Sequence, residues 1–99
     1  MEQKRVFKMG VMERNMLVQG AYPLFMEAKE NGGDYKFIGN FMLRIGKSTD
    51  KKVFLTDEEY KLARDALNHL RNEFLAADRY TDAIDDVLYR LIKTKVKRC

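Results

Sequence analysis

The chain has 99 residues, of which 45% are apolar and 34% are charged, and its net charge is +4. This composition excludes a disordered chain, which lacks the apolar residues for a core, and predicts a single domain over residues 1–99. One cysteine, Cys99, allows no intramolecular disulfide, and no apolar run reaches the ~20 residues of a membrane span, so we expect a cytoplasmic protein that does not bind membranes.

The first third of the chain carries mixed signals. We predict strand pieces over residues 5–12 and 16–21 and a short helix over residues 23–30. Gly20 and Pro23 oppose one continuous helix, because proline clashes with the carbonyl group four residues before it. A turn follows at residues 31–34, where Asn, Gly, Gly and Asp tolerate a positive φ.

Residues 35–45 alternate in a period of two, which predicts the main strand. The face assigned to the core carries Tyr35, Phe37, Phe41, Leu43 and Ile45. The opposite, outer face carries Lys36, Ile38, Asn40, Met42 and Arg44. After a turn at residues 46–50, residues 51–55 return as the hairpin partner. Residues 1–55 are therefore predicted to be strand-rich, with an antiparallel sheet.

The C-terminal half predicts a two-helix hairpin over residues 56–95. Thr56 and Glu59 have the spacing of a capping box at the start of a helix over residues 57–77. A second helix begins at Thr81 and runs to about Thr94, and the short connection between the helices favours a hairpin. A basic tail occupies residues 95–99. The predicted fold class is α+β.

Three patterns that could indicate chemistry have simpler explanations. The Gly-Lys-Ser run at 46–48 resembles the end of a phosphate-binding loop, but Phe41 stands where that loop requires a glycine. The acidic groups at 57–59 and 82–86 lie at helix N-termini, where the helix dipole stabilises carboxylates. For His69, the sequence indicates no partner nucleophile or acid of the kind that a general base requires. We therefore predict no catalytic, cofactor-binding or metal-binding residues, and a protein that is not an enzyme.

The function that the sequence favours is binding of a protein partner. The outer strand face mixes apolar and charged side chains, as interfaces do: Lys36, Ile38, Asn40, Met42 and Arg44. We predict that these residues dock a protein. A small, methionine-rich regulatory domain of this kind fits an accessory protein of a phage or prophage that modulates a host protein. A homodimer is the other protein assembly left open, since small domains can cover apolar surface with a second copy.

The alternative function is nucleic-acid binding through the basic loop and tail. The residues predicted for this role are Lys47, Lys51, Lys52, Arg90, Lys93, Lys95, Lys97 and Arg98. Tyr35, Phe37 and Phe41 could stack bases, but their place on the core face of the predicted strand favours a structural role. Salt separates the two functions, because affinity for phosphates falls steeply with ionic strength.

Overall fold

The computed structural model describes residues 3–98, and the chain has an α+β fold. Its elements in chain order are β1 (Gln3–Lys8), α1 (Val11–Asn31), α2 (Tyr35–Lys47), β2 (Lys52–Leu55), α3 (Asp57–Ala76), α4 (Asp82–Ile92) and β3 (Lys95–Arg98). The three strands form one antiparallel sheet in the order β2-β1-β3. Cys99 lies outside the described residues.

A common apolar core joins the inner face of the sheet to the four helices. Phe7 of β1 packs there with side chains from every helix, among them Leu17, Ile45, Leu67 and Leu91, all of which are fully buried. The central strand comes from the start of the chain, and its two neighbours come from the middle and the end. Long-range contacts therefore hold the sheet together.

Residues 11–31 form one long helix, so the predicted strand over residues 16–21 is wrong, and the strand predicted over 5–12 ends at Lys8. Gly20 lies inside α1 where this helix approaches α3 most closely: a Cβ at this position would collide with the carbonyl group of Ala66. Pro23 also lies inside α1. Packing of α1 against α2 and α3 outweighs the ~3 kcal/mol that an interior proline costs.

The turn predicted after α1 is confirmed, since Gly32 caps the helix with φ of 72°. The strand predicted over residues 35–45 is wrong, because these residues belong to α2. Asp34 begins this helix, and its carboxylate accepts a hydrogen bond from the Phe37 backbone N–H at 3.3 Å. Phe41 and Ile45, four residues apart, are buried on the inner face of the helix.

The predicted hairpin between residues 35–45 and 51–55 is wrong as well. β2 forms where expected, but its partner is β1, and the two helices α1 and α2 separate these strands along the chain. The region 1–55 is therefore mainly helical rather than strand-rich. The sheet itself is antiparallel, as predicted.

The C-terminal half contains the two predicted helices, α3 and α4. The capping box is confirmed: the Thr56 hydroxyl accepts from the Glu59 N–H at 3.2 Å, and the Glu59 carboxylate accepts from the Thr56 N–H at 3.0 Å. Arg71 joins the two helices by donating from Nε to Asp85 Oδ1 at 2.6 Å. Residues 95–98, predicted as a tail, form the edge strand β3.

Candidate nucleic-acid interface

Alternate residues of β1 and β2 give the sheet a buried inner face and a solvent-facing outer face. Phe7, Val53 and Leu55 are buried on the inner face. The intervening positions form the outer face, and we call their five residues the lysine face: Lys4, Val6 and Lys8 of β1 with Lys52 and Phe54 of β2. Phe54 is 45% exposed, so much of its ring is accessible from solvent.

The strand register places lysines opposite lysines on both sides of an apolar centre. Val6 pairs with Phe54, and Lys8 pairs with Lys52. On the other edge of β1, the register pairs Lys4 with Lys97. Like charges directly opposite each other destabilise a sheet, so the pairing of Lys8 with Lys52 is unfavourable without a ligand. A bound anion would relieve the repulsion.

A depression of about 710 Å³ extends the lysine face from β2 to the end of α2. Lys4, Lys52 and Phe54 line its sheet side. Arg44 and Lys47 line its helix side. Asp50 is the acidic side chain on its wall, and Arg44 is paired with Glu59, so three lysines face one carboxylate. The depression is therefore electropositive and has an aromatic ring on one side.

A second depression, of about 370 Å³, lies between the lysine face and the end of α4. Val6, Lys8 and Lys52 line one wall, and Tyr89 and Lys93 line the other. The Nζ atom of Lys93 lies 5.5 Å from the centroid of the Tyr89 ring, within the range of a cation–π interaction. Tyr89 is 61% exposed. This end of the surface thus also combines an accessible aromatic ring with lysines.

Among the residues that the structure describes, the lysines of this surface have no acidic partner. In the part of the chain that the structure describes, the ion pairs use arginine or histidine, and none includes Lys4, Lys8 or Lys52. The positive charge is therefore available to an external anion.

Arg90 differs from these lysines because two carboxylates hold it. Its Nη2 donates to Glu13 Oε2 at 2.6 Å, and its Nε donates to Asp86 Oδ2 at 3.1 Å. The hydrogen bond to Glu13 raises the pKa of Arg90 above its ordinary value, against the opposing effect of burial. Arg90 borders the surface but is already neutralised by its own helix and by α1.

Glu13 is the buried acid of this arrangement. Burial alone would raise the pKa of Glu13, but the hydrogen bonds from Arg90 and from the backbone N–H groups of Glu13 and Gly10 lower it below the ordinary value. The Gly10 N–H donates to Glu13 Oε1 at 2.9 Å. The pair ties the start of α1 to α4 and leaves the positive charge of the lysine face intact.

The structure brings together several residues of the predicted nucleic-acid set. Lys47, Lys52 and Lys93 line the two depressions, and Lys51 lines a third one with Lys8. Lys95, Lys97 and Arg98 lie on the edge strand beside β1 in the backbone register. Lys4, Lys8 and Phe54 were not among the predicted residues. The segments Lys-Arg-Val-Phe-Lys at 4–8 and Lys-Val-Phe-Leu at 52–55 do not alternate polar and apolar residues, so only the strand pairing shows that these three share a face.

The predicted protein-binding set is split between three environments. Lys36, Asn40 and Met42 line an apolar groove of about 500 Å³ between α1 and α2. Ile38 packs against the core, and Arg44 pairs with Glu59. We call the groove between α1 and α2 the helical groove. Its apolar wall is formed by Tyr22, Phe25, Tyr35, Met42 and Leu43. Of the three aromatics predicted for the core, Phe41 is buried and Phe37 packs against the core, whereas Tyr35 lines the groove. Leu43, which was predicted for the same core face, is 59% exposed, so that part of the prediction is wrong.

Comparison of the chain with protein-family models, with curated proteins and with solved structures found no match. Within residues 3–98, no helix combines the length and the apolar content that crossing a bilayer requires. In the same residues, no three His, Cys, Asp or Glu side chains converge as they would around a metal ion. Function must therefore be inferred from the surfaces described above.

Proposed function

We propose that the protein is a non-enzymatic module that binds nucleic acid through the lysine face. The observation that carries this proposal is the outer face of β1 and β2, where Lys8 lies opposite Lys52 next to the exposed Phe54 ring, and Lys4 lines the depression on the other side of it. Phosphates neutralise such cations, and the release of their counterions drives binding. Nucleic acid is the common ligand that supplies both a row of phosphates and aromatic bases.

The two depressions support the same proposal from either side of the sheet. Lys47 adds a cation beside Phe54, and Lys93 adds one beside Tyr89. Lys52 lines both depressions, so positive charge continues from one to the other. A nucleic-acid backbone that crossed the outer face from one depression to the other would therefore pass Lys47, Lys52 and Lys93.

Fluorescence anisotropy with a labelled 20-nucleotide mixed-sequence single strand, and with its duplex, tests this function at rising KCl concentrations. Each phosphate contact contributes a slope in log K against log salt of about −0.7 for single strands and about −0.9 for duplexes. The double variant Lys8→Gln, Lys52→Gln should weaken binding and reduce the single-strand slope by about 1.4, which is two contacts.

The matched control is Lys29→Gln with Lys61→Gln, which removes the same charge from exposed positions on α1 and α3. This control should bind nearly as well as the wild-type protein. Equal losses in both double variants would mean that net charge, and not the lysine face, attracts the nucleic acid. No binding of either probe at low salt would reject the proposed function.

A second candidate function is docking of a protein partner in the helical groove. The observation that favours it is the cluster of aromatic and apolar side chains on the surface: Tyr22 is 54% and Leu43 is 59% exposed, and Phe25 meets Tyr35 edge to face at 6.2 Å between centroids. Interfaces are enriched in such side chains. The groove is lined by Lys36 and by no acidic residue, so the partner we propose is a protein with an acidic residue beside an apolar anchor.

Tyr22→Glu tests the groove, and Tyr80→Glu is its matched control, because Tyr80 is 91% exposed on the connection between α3 and α4. After nuclease treatment, a protein captured by the wild type and by Tyr80→Glu but lost by Tyr22→Glu supports docking. A second copy in the groove would instead appear as a dimer in sedimentation that Tyr22→Glu dissociates. A partner held equally by both variants contradicts the groove as its site.

A further inference from the structure

We infer that the ligand of the lysine face is single-stranded nucleic acid, with an unpaired base stacked on the Phe54 ring. This inference rests on the proposed function and names the form of nucleic acid that the surface fits. Lysines bind the phosphates of any nucleic acid. An exposed phenyl ring makes no favourable contact with a phosphate, so Phe54 must serve another part of the ligand.

Phe54 is held in place by the sheet and is open on its outer side. Its cross-strand partner is Val6, which supports the ring from β1, and 45% of the residue remains exposed. A phenyl ring has no hydrogen-bonding atom, so it recognises a base only by stacking on its face. The bases of a duplex are stacked on each other, and only an unpaired base presents a free face.

The shape of the surface favours the same ligand. β1 has six residues and β2 has four, so the exposed strands are about 13–20 Å long at ~3.3 Å per residue. Duplex recognition in the major groove uses an element narrow enough to enter the groove, which is a helix or a two-stranded ribbon. Here α3 lies behind the sheet, where the Tyr60 ring stacks on Arg5. The ligand side is one face of a three-stranded sheet, bordered by the ends of α2 and α4, and is therefore broader than a two-stranded ribbon.

Tyr89 provides a second ring for the same strand. It is 61% exposed and lines the depression that also contains Val6, Lys8 and Lys52. Because Lys52 lines the depressions of both rings, a single strand stacked on Phe54 and Tyr89 would place its backbone against Lys52 and Lys8. Aromatic rings with cations between them form the usual platform for single strands.

The test compares a labelled 12-nucleotide single strand with the duplex of the same sequence, as DNA and as RNA, by anisotropy at one low salt concentration. We expect the single strand to bind at least about tenfold more tightly. Phe54→Ala should weaken single-strand binding by about tenfold, since stacking on one base is worth ~1–3 kcal/mol, and should leave duplex binding unchanged. Phe54→Tyr keeps the ring and should restore the affinity.

Tyr80→Ala removes an aromatic ring that is more exposed than Phe54 and lies outside the surface, so it should change neither affinity. Thermal unfolding followed by circular dichroism checks that each variant is folded. If Phe54→Ala does not fold, the comparison of single strand with duplex is made with the wild type and with Phe54→Tyr. Equal binding of both probes, with loss only in Lys8→Gln, Lys52→Gln, would overturn the single-strand inference and leave nucleic-acid binding in place. No binding of any probe by the wild-type protein overturns both.

Discussion

The two faces of the sheet are built from alternate residues of the same strands, yet the cations on them have different surroundings. On the inner face, the Arg5 guanidinium lies 4.1 Å from the centroid of the Tyr60 ring, and its Nη1 donates to the Thr94 carbonyl at 3.1 Å. On the outer face, Lys8 lies opposite Lys52. The inner cation is held by contacts within the fold, although its Nε has no hydrogen-bond partner among the described residues, whereas the outer lysines have no acidic partner there. Stability and binding should therefore respond to different faces.

The sharpest way to break this comparison is to truncate one phenylalanine on each face. Phe7 is 1% exposed and Phe54 is 45% exposed, on neighbouring strands of the same sheet. Phe7→Ala should lower the free energy of unfolding by about 3–5 kcal/mol, because it leaves a cavity in the core. Phe54→Ala should cost about 1 kcal/mol or less, because it removes only a cross-strand contact. Urea denaturation of both variants measures the difference.

Equal destabilisation by these two substitutions would show that Phe54 is a core residue, and the lysine face would lose its central ring. If folded Phe7→Ala lost its affinity for nucleic acid, the inner face would also contribute to binding, and the two faces would not have separate roles.

The next largest effect concerns the helices that cover the inner face. Gly20→Ala should lower the free energy of unfolding by about 1–3 kcal/mol, because the added methyl group collides with the Ala66 backbone and forces α1 away from α3. The control is Gly46→Ala in α2, where the nearest atom to an added Cβ, on Val18, is 3.8 Å away. Chemical denaturation of the two variants should therefore give clearly different midpoints. A larger loss in Gly46→Ala would contradict this close approach.

Gly20 also shows why sequence reasoning succeeded in one half of the fold and failed in the other. In α3, the cap at Thr56 and the apolar period point to the same helix, so its start was predicted to the residue. In α1, Gly20 and Pro23 oppose a helix locally, and only the contact with Ala66 explains why glycine belongs there. That contact joins residues far apart in the chain, so no local pattern contains it.

The strand predicted over residues 35–45 failed for a different reason. Phe37, Phe41 and Ile45 satisfy both a period of two and a helical spacing of four residues. Asp34 caps the helix in the structure, but in the sequence it fits the preceding turn equally well, so it does not by itself indicate a helix start. The basic residues of the candidate site were partly predicted. Lys8 and Lys52 lie opposite each other only because β1 pairs with β2, and two helices separate these strands along the chain.

A smaller, pH-dependent effect tests the boundary between the faces, where Glu13 holds Arg90. The pKa of Glu13 is lowered in the folded protein, so its contribution to stability is present above the unfolded-state pKa and is lost as the pH falls through the folded pKa. Glu13→Gln should therefore reduce the free energy of unfolding by about 1 kcal/mol at pH 7. The difference from the wild type should shrink progressively below about pH 4.5.

Denaturation curves at pH 7 and pH 3 measure this trend, and Glu27→Gln, an exposed position on the same helix, should show no such change between the two pH values. A deficit of Glu13→Gln that stays constant down to pH 3 would mean that the shape of the side chain, and not its charge, holds Arg90.

The smallest effect has the opposite sign, and it separates the faces most clearly. Lys8→Gln removes the repulsion with Lys52, so the free energy of unfolding should rise by about 0.5 kcal/mol at low salt and return to the wild-type value in high salt, where charges are screened. The same variant should bind nucleic acid more weakly. Lys61→Gln, on the exposed side of α3, should change neither quantity. A variant that gains stability while losing affinity is expected only where a cation is kept for a ligand at the expense of the fold. Destabilisation by Lys8→Gln would instead make this lysine part of the structure, like Arg5 on the face behind it.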